Sequence, residues 1–225
     1  SIFEIDLPPG EIRVLEIRNV SVKADYSLPL IGTWKLDGSE GSTVFPSRER
    51  SYDMKYAKTP SGRTVYDASE PKTAVEIDYN PGFPLKFGTI TFWAAANLHC
   101  ELSDRGGYPV SSRFFRVSMH NQRWGFTVFD ADSVAGPPAE HDRWTHIAFT
   151  WDGQHCRFFV DGIEYTNDGI PLKVFLPIWN NTFQIATYGR GRRTFGGKIA
   201  DVKLYSKALN VSEINQLLQQ EKGQF

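Results

Sequence analysis

An all-β sandwich is the fold this sequence predicts, and three observations predict it. Short segments alternate apolar and polar residues, the period-2 signature of half-buried strands. Clusters of Gly, Pro, Asn and Asp interrupt these segments at short intervals, where hairpin turns need residues tolerant of unusual backbone angles. A length of 225 residues suits one large sandwich, and 40% hydrophobic residues with 16 Phe, 9 Tyr and 6 Trp supply a bulky core.

The elements follow in chain order. Residues Ile2 to Val22 hold two strand-like runs joined at Leu7-Pro8-Pro9-Gly10, and Tyr26-Ser27-Leu28-Pro29-Leu30 reads as a connector before a fresh strand at Ile31 to Leu36. The expected organisation is therefore a leading β segment, or the end of a preceding domain, over 1–25 and a main domain over 26–225. With no initiator Met and no basic, then apolar, leader, the chain reads as a mature or excised piece. A hairpin runs from Arg113 to His120, turns at Asn121-Gln122 and returns through Trp124 to Phe129. Phe115, Val117 and Met119 share one of its faces, and Arg116, Ser118 and His120 the other. A second runs from Trp144 to Trp151 through Asp152-Gly153 to Arg157-Val160, with Asp161-Gly162 as the next turn. Only the C-terminal end reads as helix: Asn210 is the N-cap, Glu213 stands at N3, and Ile214, Leu217 and Leu218 recur at helical spacing.

Charge and motifs exclude several functions. Lys and Arg number 25 against 26 Asp and Glu, so bulk electrostatics predict no nucleic-acid partner, and no apolar run is long enough for membrane insertion. Gly-x-Ser-x-Gly, His-Glu-x-x-His, Walker A and dinucleotide fingerprints are absent from the sequence. Cys100 and Cys156 lack metal-ligand spacing; they form either one disulfide, worth about 4 kcal/mol for so long a loop, or two buried thiols, the reading preferred. Asn19, Asn180 and Asn210 head N-glycosylation tripeptides that matter only in a eukaryotic secretory pathway.

Several signposts stand in a particular order: Gly32-Thr33-Trp34-Lys35-Leu36-Asp37, Gly88-Thr89-Ile90-Thr91-Phe92-Trp93, Trp144 to Gly153, Phe159-Val160-Asp161-Gly162, and Phe195-Gly196-Gly197 through Tyr205. Over residues 31 to 221 this series resembles the laminin-G-like jelly rolls of the concanavalin A-like lectin and glucanase superfamily. The resemblance implies a jelly-roll β-sandwich of two antiparallel sheets with a short C-terminal helix. A second, weaker resemblance lies in Glu4 to Ile17, which looks like the last strands of the small sandwich that often closes a glycoside hydrolase. It implies the accessory module of a larger carbohydrate-active enzyme; the same strands could equally belong to the jelly roll.

The resemblance directs attention to carboxylates first. Laminarinase-like members carry two strand glutamates as nucleophile and acid/base, and retaining hydrolysis needs two carboxyls about 5 Å apart. Here Glu76-Ile77-Asp78-Tyr79-Asn80 has Asn80 where the second Glu is expected, so Glu76 and Asp78 are read as edge-strand or loop residues. Relatives often hold calcium with help from the acidic residue after Gly-x-Ile; that position is Ala200, leaving Asp201 as the one assigned ligand, with Asp37 and carbonyls to assist. No other cofactor is indicated.

For glycan binding, aromatic rings stack on sugar faces and Arg, Asn or His bond hydroxyls. Two surfaces qualify. One is the polar face and rim of the first hairpin, with Arg116, His120, Arg123 and Trp124, joined by Arg105 and Tyr108 of the preceding loop. The other is the loop pair of Trp179 and Asn180 with Tyr188, Arg190, Arg192 and Arg193, whose arginines favour an anionic sugar. The function expected is non-catalytic recognition of carbohydrate by a secreted, cell-surface or periplasmic protein. The alternatives are an interaction module packed on an adjacent catalytic domain, and a hydrolase or polysaccharide lyase on the same fold.

Overall fold

A computed structural model of the chain describes residues 30–43, 47–70, 73–79, 86–100, 107–112, 115–128, 132–172, 182–188 and 193–225. The leading segment over 1–25 lies outside them. The strands in chain order are β1 (Leu30–Trp34), β2 (Ser42–Thr43), β3 (Ser47–Tyr52), β4 (Lys55–Lys58), β5 (Thr64–Asp67), β6 (Ala74–Tyr79) and β7 (Gly88–Ala96). Then come β8 (Gly107–Ser112), β9 (Phe115–His120), β10 (Arg123–Val128), β11 (Asp132–Pro138), β12 (Trp144–Trp151) and β13 (His155–Val160). The series closes with β14 (Ile163–Glu164), β15 (Ile170–Pro171), β16 (Thr182–Ile185), β17 (Thr187–Tyr188), β18 (Arg193–Thr194), β19 (Gly197–Tyr205) and the helix α1 (Val211–Glu221).

Two antiparallel sheets result, as expected of a jelly roll. A ten-stranded sheet runs β14-β13-β12-β7-β19-β1-β2 with β4, β5 and β15 attached, and a seven-stranded sheet runs β11-β10-β9-β8-β16-β6-β3. Both hairpins form with the turns the sequence called for. Asn121 and Gln122 take φ of 50° and 56°, Gly153 in the turn of the second hairpin takes 87°, and Asp161 and Gly162 of the next turn take 48° and 78°; the two left-handed pairs have the twist that suits a two-residue hairpin. Strand β6 is not the edge or loop expected from its sequence. It is an interior strand between β16 and β3, because Val75 and Ile77 are fully buried and need a core face.

Alternation along each strand builds the core. Ile90 and Phe92 of β7 and Ile147, Phe149 and Trp151 of β12 face Phe115, Val117 and Met119 of β9 and Trp124 and Phe126 of β10. Phe115 meets Phe149 with ring centroids 4.0 Å apart, and Phe126 stacks on Phe158 at 5.5 Å. The two cysteines are thiols and not a disulfide; burial pushes the Cys156 thiol up to about 12, so it is inert as a thiolate at neutral pH. Among the described residues no helix is long and apolar enough to cross a membrane.

The outer face of the ten-stranded sheet is covered by the chain's own C-terminus. Asn210 caps α1 through Glu213 N–H while the Glu213 carboxylate accepts from the Asn210 N–H, the full capping box. Ile214 and Leu217 then press onto Ala148, Phe159 and Tyr205. At the helix end the buried Glu221 accepts from Trp93 Nε1 at 2.8 Å and from Lys203, and Phe225 stacks on Trp93 at 4.7 Å. Among the described residues, no helix covers the outer face of the seven-stranded sheet.

Candidate carbohydrate-binding surface

The outward residues of the seven-stranded sheet are polar. Registers align Arg50, Glu76, Gln184, Ser111, Arg116, Thr127 and Ser133 in one row across β3, β6, β16, β8, β9, β10 and β11. The two ends of this row differ chemically. On the β3 side Glu76 and Asp78 both accept from the Arg50 guanidinium, which Asp78 holds in its charged form above the usual arginine range. Gln184 donates to Glu76 at 2.6 Å, and Thr182 donates to Asp78 at 2.8 Å. This end is a closed network of paired groups.

On the β11 side the sheet opens into a trough of about 650 Å³. Ser118, Gly125, Thr127, Ser133 and Ala135 line its floor, and Tyr108, His120, Arg123 and Arg193 rise around it. The floor is flat because Gly125 has no side chain: a Cβ there would stand 2.9 Å from Ser118 Oγ. Thr127 and Ser133 share a hydroxyl hydrogen bond of 3.0 Å, and His120 lies exposed beside Arg123 across the hairpin.

The short pair β17 and β18 leans over this face. Ser111 Oγ donates to the Thr187 carbonyl at 2.6 Å, and Gly107 lets β8 run so close that a Cβ would strike the Phe195 carbonyl oxygen at 2.2 Å. The hairpin thus delivers Tyr188 onto the Arg116 guanidinium, 4.3 Å from ring centroid to Cζ, and Arg193 onto Tyr108, whose hydroxyl accepts at 3.0 Å. Described residues of the two expected surfaces thus meet on one face of the sheet. Tyr108, Arg116, His120, Arg123 and Tyr188 converge on it, whereas Arg105, Trp179, Asn180, Arg190 and Arg192 lie outside the described residues.

Trp124 requires a correction. It is 2% exposed and sits in the core opposite Met119, so its ring has no face to offer a ligand. Successive strand residues point to opposite sides, and once Arg123 faces outward Trp124 must face inward. Asp201, the expected calcium ligand, is held by the Arg63 guanidinium and is 6% exposed, in a left-handed conformation at the irregularity of β19. Among the described residues no group of three His, Cys, Asp or Glu is placed to hold a metal ion. Thr127 and Ser133 were not singled out from the sequence, whereas Arg193 was, as part of the Arg190, Arg192 and Arg193 cluster. Continuing the alternation from Arg123 would have found Thr127, but Gly136-Pro137-Pro138 disguised β11, an edge strand where proline is tolerated.

Comparison with known proteins agrees with this architecture. A family profile described as the concanavalin A-like lectin/glucanases superfamily matches residues 79–215, more than half of the chain. The chain belongs to this superfamily. No curated protein matches it in sequence. Solved structures match it in fold. The botulinum neurotoxin serotype D ligand binding domain, solved with N-acetylneuraminic acid, superposes with a TM-score of 0.67 at 10% identity over 86% of this chain and 51% of its own. Trypanosoma rangeli sialidase, solved with 2,3-difluorosialic acid as a covalent intermediate, gives 0.71 at 14% identity over 86% of this chain and 33% of its own. The binding domain of Paraclostridial Mosquitocidal Protein 1 gives 0.63 at 14% identity over 85% and 52%. The chain spans about half the length of the toxin domains, and at such identities the likeness is one of fold.

Proposed function

We propose that this chain is a non-catalytic, lectin-like module that binds carbohydrate in the trough on its seven-stranded sheet. The observation that carries the reading is the trough's composition: hydroxyls of Ser118, Thr127 and Ser133 on a flat floor, with Tyr108, His120, Arg123 and Arg193 around it. Hydroxyls and guanidinium groups exchange hydrogen bonds with sugar hydroxyls, and the backbone at Gly125 leaves room for a pyranose ring. Support also comes from the botulinum serotype D domain, whose structure contains a bound sialic acid. The non-catalytic reading rests on Glu76 and Asp78, whose oxygens are spent on Arg50, Gln184 and Thr182. The module serves a larger carbohydrate-active protein, beside a catalytic domain, at the cell surface, outside the cell or in the periplasm.

A glycan-array screen of the chain, with and without calcium, tests this. Selective binding that falls at least tenfold in both His120→Ala and Arg123→Ala, with unchanged melting temperature, is the expected result. Silence across the array would instead assign the open face to a protein neighbour.

A further inference from the structure

We infer that the ligand of this trough carries an anionic group, a carboxylate or a sulfate, which Arg123 and Arg193 bind together. The inference rests on the carbohydrate-binding reading and names its substrate class. It comes from a contrast with four arginines that the fold pairs with carboxylates. Arg50 pairs with Glu76 and Asp78, Arg63 with Asp201, Arg143 with Glu140 and Asp161, and Arg157 with Asp152 and Glu164. Wherever a carboxylate is in reach, the fold uses it to balance a guanidinium.

The two arginines of the trough are not balanced in this way. Arg123 donates to the Gly136 carbonyl at 2.7 Å and Arg193 to the Tyr108 hydroxyl at 3.0 Å, both neutral oxygens. Neither has a carboxylate partner among the described residues, and no Asp or Glu is among the described residues lining the trough. This occurs in a chain whose acids outnumber its bases, 26 to 25. The two neutral bonds orient the planar forks and consume one donor of each, leaving the others and both charges for an incoming group. Two fixed guanidinium groups at a concave surface raise the local potential and match the paired oxygens of carboxylate or sulfate. His120, beside Arg123 on the same rim, adds a third polar group.

The test is an array of matched glycans, each core displayed in neutral, carboxylated and sulfated forms, probed with the chain, Arg123→Gln, Arg193→Gln and the charge-conserving Arg123→Lys. Hits confined to the charged forms, at least tenfold weaker in each Gln variant, partly restored in the Lys variant and weakened by raising salt, are the expected result. The carboxylated and sulfated arms decide which anion is preferred. Equal binding of neutral and charged forms, indifferent to salt and to both Gln variants, overturns the anionic inference and leaves the carbohydrate-binding reading intact. Silence across all three forms overturns both. Thermal denaturation of each variant separates a lost ligand contact from a lost fold.

Discussion

The two outer faces of the sandwich begin from the same rule and end differently. Both present every second residue of their strands to the outside. On the ten-stranded sheet those residues include Trp93, His146, Ala148, Phe159 and Tyr205, all 3% exposed or less under α1 and the C-terminal residues. On the seven-stranded sheet they include Arg116, Ser118, His120, Arg123 and Thr127, open to solvent or the trough. The covered face balances its charges internally, Glu221 against Lys203 and Asp201 against Arg63. The open face leaves Arg123 and Arg193 to neutral oxygens. Burial forces a surface to pair its charges, and guanidinium groups that the fold leaves without a carboxylate are available to a ligand.

Mutations on the two faces should separate this contrast. Phe159→Ala, 1% exposed beneath α1, should lose about 3–5 kcal/mol of stability in urea unfolding and loosen the helix. Glu221→Gln should lose about 2 kcal/mol, because the amide presents an N–H toward donors on Trp93 and Lys203. A similar loss should follow from acid alone. His146 is fully buried, neither ring nitrogen has a hydrogen-bond partner, and burial lowers its pKa to about 4, against a partial opposing pull from Asp161 and a small push from Lys203. Between about pH 6.5 and 4 the unfolded chain binds a proton that the folded chain refuses, so stability falls as pH drops through that window. From pH 7 to 5 the loss is about 2 kcal/mol, and His146→Phe should flatten it. Asn210→Ala removes the N-cap acceptor of α1 and should cost about 1 kcal/mol. Smallest are Arg123→Gln and Arg193→Gln on the open face, within about 0.5 kcal/mol by melting temperature. A large loss there would mean that this face is structural rather than available.

Much of this was legible in the chain. The Asn121-Gln122 turn, the alternation of Phe115, Val117 and Met119, and the Asn210 and Glu213 capping box act within a few residues, so local chemistry suffices to read them. Trp124 was misread because the alternation was applied to one arm of its hairpin and not carried to the other. Strand β6 was misread because an acidic strand looks marginal until Arg50 and Gln184, far away in sequence, are seen to pair with it. The convergence of Tyr188 on Arg116 and of Arg193 on Tyr108 had no local signal.

By itself the sequence determined the strands, the tight turns, the capped helix and a chain able to close an aromatic core. Each depends on backbone angles and side-chain period over a handful of positions. The tertiary structure alone decided which sheet face the helix would cover, and that two separated arginine-bearing segments would meet at one trough. Those outcomes depend on strand order and on close approaches such as Gly107 against the Phe195 carbonyl, which arise only when the whole core packs and segments distant in sequence share one surface.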